Sequence, residues 1–265
     1  MSFPIGRSPR ARTERAFERL ASGKRINKAK DDPAGLAVAE ALASLSQSNR
    51  QAARNVNDGV SVLQTADGAT GQAQDLVKRM RELAIQSSSE TLGDSGRGAI
   101  QKEFEQLSEE LDRISATTEF NGVKLADGSK NSLNVQAGEG DTADDQVGVG
   151  LGDLRAASLG VDSASVDLST ADGAFAAISA FDGALESLSE QRSTYGAAQN
   201  RLASSLSNLD TQYEAQVAAT SRIADADFGL QTAELASARL LEDAAISVQS
   251  HRNLSRKSAL SLIGG

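Results

Sequence analysis

The sequence predicts a mainly α fold, an elongated bundle or coiled coil of long helices with a small β-hairpin insert. Three observations predict it. All three prolines lie in the first 33 of 265 residues, so the strongest helix breaker is absent from the rest. Nine of the 23 glycines fall in 122–173, whereas 174–228 contains only two. Aromatic residues make up only 3%, far fewer than a compact core of this size would use.

A first long helix is predicted over 34–88, directly after Asp31-Asp32-Pro33, where acidic residues and an early proline favour a helix start. Residues at 3-4 spacing, many of them small, predict a closely packed seam. The seam residues are Leu42, Leu45, Asn49, Ala52, Val56, Gly59, Leu63, Ala66, Thr70, Ala73, Val77, Met80 and Ala84. At about 1.5 Å per residue this helix would be roughly 80 Å long. A compact chain of this length has a radius of gyration of about 18 Å, so we expect an elongated shape.

A shorter helix and a β-hairpin are predicted next. The helix has apolar residues at 3-4 spacing and ends near Asn121-Gly122, a dipeptide typical of tight turns. Its apolar residues are Ile100, Phe104, Leu107, Leu111 and Ile114. Two alternating runs joined by a turn-rich segment then predict the hairpin. Their apolar residues are Leu133, Val135, Ala137, Val147, Val149 and Leu151.

A second long helix is predicted after the capping residues Ser169-Thr170-Ala171-Asp172. Its seam is bulkier than that of the first helix, so the two seams should pack together in an antiparallel bundle. The seam residues are Ile178, Phe181, Leu185, Leu188, Arg192, Tyr195, Gln199, Leu202, Leu206, Leu209 and Tyr213.

Both chain ends, 1–33 and 225–265, carry thin apolar stripes, although 233–262 is amphipathic. Neither stripe buries enough area to offset about 1–2 kcal/mol per residue of backbone ordering. We therefore expect the ends to be poorly ordered in a single copy and to become helical only on assembly. Pro4 and Pro9 are expected to prevent a regular helix at the N-terminus.

The composition argues against an enzyme. The chain has no cysteine and one histidine, His251, which excludes thiolate chemistry and leaves little for a catalytic triad or a histidine metal site. The tetrapeptide at 93–96 resembles the sequence around a serine-protease nucleophile, but Ser95 has no neighbouring histidine and is interpreted as part of a linker. Gly148, Gly150 and Gly152 are interpreted as hairpin glycines. We assign no catalytic, cofactor-binding or metal-ligating residue and expect no cofactor.

An acidic turn at Glu139, Asp141, Asp144 and Asp145 does not match the EF-hand spacing, so we interpret it as a solvated turn, with weak Ca²⁺ binding left open.

The charge is uneven along the chain. The net charge is -9, yet the first 30 residues contain nine basic residues against Glu14 and Glu18. Few aromatic residues accompany this basic arm and the remaining chain is strongly acidic, so nucleic-acid binding is not favoured. No window is long and apolar enough for a transmembrane helix, and no secretory signal peptide is recognisable.

Several motifs, in order, resemble those of bacterial flagellins. Among them are Asp31-Asp32-Pro33-Ala34-Gly35 and Phe120-Asn121-Gly122-Val123. The matching segments are 18–27, 29–35, 54–61, 81–86 and 118–125 in the first half, and 196–202 and 221–228 in the second. The resemblance covers most of 18–250.

The resemblance implies a short flagellin without the outer variable domains. It divides the chain into a D0-like segment at 1–33, a D1-like helical part at 34–120, a hairpin region at 121–171, a second helical part at 172–222 and a D0-like segment at 223–265. It also implies a secreted structural subunit of the flagellum at the cell surface, which polymerises with itself into the filament for swimming motility.

The implied partners are an export chaperone, the type III export apparatus and hook-associated proteins, and a host Toll-like receptor is a further candidate. Arg79, Glu82, Leu83 and Gln86 match the family pattern for contacts with neighbouring subunits or that receptor.

Two alternatives remain open at this stage. One is a flagellin-like surface protein that binds glycans, and the other is a hook–filament junction protein.

Overall fold

The computed structural model describes the backbone of residues 7–263 and the side chains of residues 10–256. Long helices dominate this part of the chain, which confirms the mainly α class. The helices are α1 (Arg7–Ser22), α2 (Pro33–Ser87), α3 (Asp94–Thr117), the short α4 (Ala156–Leu159), α5 (Ala171–Ala224) and α6 (Phe228–Ile263). The strands are β1 (Glu119–Phe120), β2 (Val123–Lys124), β3 (Ser132–Gln136) and β4 (Gln146–Gly150).

The chain divides into two compact units. The terminal unit comprises Met1–Gln47 and Tyr213–Gly265, and the central unit comprises Ser48–Gln212. Both divisions fall inside long helices, α2 and α5. The division into five segments made from the sequence therefore stays a prediction.

Helix α2 begins at the predicted start. Pro33 is its first residue, a position that needs no intrahelical N–H bond, and Asp32 Oδ1 accepts a hydrogen bond from the Gly35 N–H at 2.9 Å. Within the central unit, every predicted seam position from Asn49 to Ala84 is buried. The 3-4 pattern therefore marks the packed side of α2 from Asn49 onward, whereas the predicted seam residue Leu45, in the terminal unit, is 39% exposed.

The turn after α2 is held by Arg97. Its Nη1 donates hydrogen bonds to the carbonyl oxygens of Ser87, at 3.0 Å, and Ser89, at 2.9 Å. Carbonyls at a helix C-terminus have no intrahelical donor, so the guanidinium satisfies them and positions α3. Helix α3 then packs on α5 through Phe104, whose ring meets that of Phe181 edge to face with centroids 5.9 Å apart.

Strands β1 and β2 form a small hairpin around the predicted tight turn. Asn121 and Gly122 have φ angles of 49° and 77°, which favour the Asn-Gly pair.

Strands β3 and β4 form the larger hairpin predicted from the alternating runs. They pair antiparallel, with Leu133 opposite Val149 and Val135 opposite Val147. Helix α2 accommodates this hairpin at Gly59, where an added Cβ would lie only 2.7 Å from Val135 Cγ2. Glycine at this seam position permits the close approach.

Helix α5 begins at Ala171, and Thr170 Oγ1 caps it by accepting the Gly173 N–H at 3.1 Å. Most of its predicted seam packs into the central core, as at Phe181 and Leu202, both 0% exposed. Arg192 is the exception, because its side chain is 44% exposed and binds Asp67 at 2.8 Å.

Arg192 belongs to a polar layer made of Asp67, Gln74, Ser189 and Arg192. Arg192 Nη1 donates to Gln74 Oε1 at 3.1 Å, and Gln74 Nε2 donates to Ser189 Oγ at 3.0 Å. The layer lies between two hydrophobic clusters, one of which reaches Leu188 on α5 while the other resumes at Tyr195. Helices α2 and α5 therefore pack with apolar contacts on both sides of one polar crossing.

In the terminal unit, α1 packs against α6 through small side chains. Ala16 and Ala238 are each 3% exposed, and Arg10 Nε binds Glu242 Oε1 at 3.0 Å. After α1 the chain runs beside the end of α5, where the Arg25 N–H donates to the Ala224 carbonyl at 2.6 Å.

Two expectations about the ends are wrong for the described residues. Helix α1 includes Pro9, which lies in the first turn, where a missing N–H removes no intrahelical bond. Pro4 lies outside the described residues. Helices α1 and α6 are also present in a single copy, where they pack against each other. The expectation that these segments become helical only on assembly is therefore wrong.

Candidate interaction surfaces

The four predicted contact residues lie within about two turns of α2, between positions 79 and 86, but they do not all face outward. Arg79, Glu82 and Gln86 are exposed, whereas Leu83 is 1% exposed and packs in the central core. The sequence pattern therefore places three of the four at the surface. Leu83 fixes the position of α2 beneath them and offers no side-chain surface to a partner in this conformation.

Arg79 bridges α2 and α3. Its Nη2 lies 2.7 Å from Glu103 Oε1, its Nε lies 3.0 Å from the same oxygen, and its Nη1 lies 3.2 Å from Glu82 Oε2. The hydrogen bond to Glu103, reinforced by Glu82, raises the pKa of Arg79 above its ordinary value, so the guanidinium stays charged. We name this set, Arg79, Glu82, Gln86 and Glu103, the Arg79 surface.

The sequence analysis did not predict Glu103 as part of this surface. It is a half-buried residue of α3 in a stretch where acidic and polar residues alternate with the apolar seam, so nothing in the neighbouring sequence distinguishes it. Only the packing of α3 beside α2 brings its carboxylate to Arg79. A partner that contacts this surface would meet a preformed network of charges held in place by two helices.

A second surface lies on the terminal unit, where large apolar side chains are uncovered. Phe17 of α1 is 59% exposed, and Leu240 of α6 is 71% exposed. We name this set the uncovered apolar face: Phe17, Phe228, Leu230, Leu240, Leu241, Ile246, Val248 and Leu254. These side chains are distributed around much of α6, and their accumulation on one unit indicates a candidate interaction surface.

Beside this face, a cleft of about 420 Å³ runs between α1 and α6. Arg12, Arg15 and Arg19 line its α1 side, and Glu234 lines the other. The two chain ends thus combine uncovered apolar side chains with a basic rim.

The residues considered for chemistry are placed without a catalytic arrangement. Ser95 lies in the first turn of α3, and His251 is an exposed residue of α6. In the acidic turn, the Asp145 carboxylate accepts hydrogen bonds from the Thr142 hydroxyl at 2.6 Å and the Thr142 N–H at 3.3 Å. Among the described side chains, those of residues 10–256, no group of three or more acidic or histidine residues is placed to hold a metal ion. None of the described helices is long and apolar enough to cross a membrane.

Long helices with a complete central core and incompletely covered ends define a structural protein that associates through its helices. Two family models match the chain. One is the bacterial flagellin N-terminal helical region, over residues 6–131, and the other is the bacterial flagellin C-terminal helical region, over residues 178–263. The chain therefore belongs to the bacterial flagellin family.

Relatives of similar length support this assignment. The chain is 37% identical to a flagellin of Halalkalibacterium halodurans, with 94% of this chain and 91% of the relative covered. It is 35% identical to a flagellar filament core protein of Brachyspira hyodysenteriae, with 92% and 90% covered. The crystal structure of Bacillus cereus flagellin matches with a TM-score of 0.52 at 29% identity, covering 59% of this chain and 88% of that one.

Proposed function

We propose that the chain is a structural subunit that polymerises into the extracellular flagellar filament and serves swimming motility. The observation that carries this proposal is the uncovered apolar face, because among the described residues it leaves large apolar side chains of α1 and α6 exposed, where a second molecule could bury them. Relatives named flagellins and flagellar filament core proteins support a second copy as that molecule.

Polymerisation by the full-length protein tests the proposal. Wild-type protein should form tubular filaments visible by electron microscopy, and Leu240→Asp should prevent them, because it places a charge where a neighbour is expected to bury an apolar side chain. Ser207→Asp, an exposed polar position of α5 in the central unit and outside the uncovered apolar face, is the control and should still polymerise. Absence of filaments from the wild type, or filaments from both variants, would contradict the proposal.

The Arg79 surface is proposed as a second contact, with neighbouring subunits or with a host Toll-like receptor. Its charges are paired and held by two helices, which favours a partner that adds polar contacts without reorganising the side chains. Glu103→Ala should weaken either contact without removing any charge of α2. A receptor-signalling assay and a filament assay on this variant separate the two partners.

The remaining partners are proposed from the resemblance to the family. An export chaperone, the type III export apparatus and hook-associated proteins are proposed as transient partners, and secretion to the cell surface as the destination. No enzymatic activity is proposed, since neither Ser95 nor His251 has an assembled catalytic partner among the contacts of the described residues. Peptidase turnover abolished by Ser95→Ala would overturn this.

A further inference from the structure

The cleft between α1 and α6 has a row of guanidinium groups along one wall. Arg12, Arg15 and Arg19, which we name the arginine row, lie three and four residues apart, so their side chains leave the same side of α1. The row extends over about 10 Å of the helix. Ala16 and Ala238, each 3% exposed, line the bottom of the cleft. The terminal unit therefore holds three guanidinium groups around one recess of about 420 Å³.

The arginine row carries charge that no ion pair compensates in the part of the chain that the structure describes. Arg10, on the same helix, binds Glu242 Oε1 through its Nε at 3.0 Å, whereas none of the three makes such a contact with a described carboxylate. Arg15 Nε donates to the Ala11 carbonyl oxygen at 3.0 Å, but this contact within α1 brings no negative charge. The row therefore keeps its positive charge available to a ligand.

Negative charge is sparse around the row. Among the described residues, Glu234 is the only acidic residue that lines the cleft, and it lies on the α6 wall. Three arginines and one glutamate give the lining a net charge of +2. Desolvation raises the pKa of Asp31, but hydrogen bonds from backbone N–H groups and the nearby charges of Lys30 and Arg19 lower it overall. Because Arg19 acts on Asp31, Arg12 and Arg15 are the least compensated members of the row.

We propose that this cleft binds a small oxyanion with at least two negative charges, such as inorganic phosphate or pyrophosphate, through the arginine row. Guanidinium groups hold phosphate oxygens through paired N–H donors in a fixed geometry, and hydrogen bonds between charged groups are stronger than neutral ones. An anion placed among the arginines also removes the repulsion that like charges experience at this helical spacing. The net charge of +2 favours a multivalent anion over chloride.

Anion binding should strengthen the pairing of α1 with α6. Both helices contribute walls to the cleft, so the site exists only where they pack together. A ligand that binds this arrangement and not the unfolded chain stabilises it by mass action. Saturating pyrophosphate should therefore slow hydrogen exchange in α1 and leave the amides around Leu63 unchanged. The inference does not depend on polymerisation, because the cleft is complete within a single copy.

Calorimetric titration of the full-length monomer with sodium pyrophosphate tests the site. Sodium chloride keeps the ionic strength constant, so that general screening does not change during the titration. Saturable binding of one pyrophosphate per chain is expected, and Arg12→Gln or Arg15→Gln should each weaken it by about tenfold. Arg239→Gln is the matched control, since it removes an exposed arginine of α6 outside the cleft, and it should leave the affinity unchanged.

A substitution on the opposite wall should act in the opposite direction. Glu234→Gln removes a negative charge from the lining, so pyrophosphate should bind about threefold more tightly than to the wild type. Arg12→Lys keeps the positive charge but loses the paired donors, so its affinity should fall between those of Arg12→Gln and the wild type. Melting curves and circular dichroism of each variant without pyrophosphate show that the fold is retained. A row that only supports α1 would not produce this reversal at Glu234.

Phosphate groups on a membrane surface share this chemistry. Flotation with phosphatidylglycerol vesicles, compared with phosphatidylcholine vesicles, distinguishes the two sources. We expect the free anion, because the bottom of the cleft is recessed between two helices and a flat bilayer surface would not reach it. Pyrophosphate binding without flotation identifies a free anion as the ligand. Flotation that requires the arginine row and is competed by pyrophosphate identifies the phosphate of a lipid headgroup.

Two results would overturn the inference. The first is the absence of saturable pyrophosphate binding, or equal binding by the wild type, Arg12→Gln and Arg15→Gln. The second is a defect of both variants in filament formation without any change in pyrophosphate affinity, which would assign the row to a contact with a neighbouring subunit. Filament formation by the wild type tests the proposed function separately, so either conclusion can fail while the other stands.

Discussion

The central and terminal units differ in what they bury. The central unit encloses large side chains such as Phe104, Phe181 and Tyr195, each at most 1% exposed. The terminal unit encloses mostly alanines, including Ala16 and Ala238, and leaves Phe17 and Leu240 in water. Burial of apolar area contributes roughly 25 cal/mol per Å², so the two units are stabilised very unequally by their own contacts. The difference teaches that the central unit is complete in one copy, whereas the terminal unit has paired helices that still lack a partner.

The same substitution made in both units should show the largest contrast. Leu202→Asp buries an uncompensated charge at a 0% exposed position and should destabilise the monomer by about 3–5 kcal/mol. Leu240→Asp, at a 71% exposed position, should stay within about 0.5 kcal/mol. Thermal melting of monomers, followed by circular dichroism, measures both. Equal losses would show that the terminal unit is packed as completely as the central one.

Two glycines of α2 test how closely the β3–β4 hairpin packs on this helix. Gly59→Ala should destabilise the protein by about 1–3 kcal/mol, because the new methyl group would collide with Val135. Gly68→Ala is the matched control, since its Cβ would meet nothing within 4 Å, and it should stabilise the helix by about 0.5–1 kcal/mol. Urea unfolding gives both values. A neutral Gly59→Ala would mean that the hairpin can move away from α2 at little cost.

A capping substitution tests whether the terminal part of α2 has a stability of its own. Asp32→Ala removes the acceptor of the Gly35 N–H and should cost about 1 kcal/mol. Hydrogen exchange should show the loss in the first turns of α2 and leave the amides around Leu63 unchanged. Asp58→Ala, at an exposed mid-helix position, provides the control. Uniform loss of protection along α2 would show that the two units open together.

The smallest effect is expected at the β3–β4 turn, where pH provides the measurement. The hydrogen bond from the Thr142 hydroxyl lowers the pKa of Asp145 below its ordinary value, against a smaller opposing effect of desolvation. A depressed pKa in the folded state contributes stability above the unfolded-state pKa, and this contribution disappears as pH falls through the folded value. Asp145→Asn should therefore melt slightly earlier than wild type at neutral pH and equally with it in strong acid. A difference that grows on acidification would contradict this assignment.

Long periodic patterns could be interpreted from the sequence, and isolated contacts could not. The seam of α2 repeats over many turns, so single deviations did not obscure it, and alternation located the β3–β4 hairpin. The role of Glu103 could not be predicted, because its carboxylate reaches Arg79 only through the packing of α3 beside α2. Phe175 lies three residues before the seam residue Ile178, and spacing alone could not show that Ala174 takes the buried position instead.

The ends were misjudged for a related reason. The prediction compared the apolar area of each end alone with the cost of ordering its backbone, whereas α1 and α6 bury apolar area against each other. Pro9 was treated as a breaker, although its effect depends on how far it lies from the helix start.

The polar layer of Asp67, Gln74, Ser189 and Arg192 sets an alignment between α2 and α5. Apolar seams of similar residues can slide by one heptad and still bury similar area, but such a slide would separate Arg192 from Asp67 and leave Gln74, 8% exposed, without its partners. A single polar position is known to fix register in coiled coils in this way. Every copy would then present the surfaces of α2 and α5 in the same relative alignment, so identical copies can repeat the same contacts. The polar layer therefore keeps the register of α2 and α5 the same in every subunit.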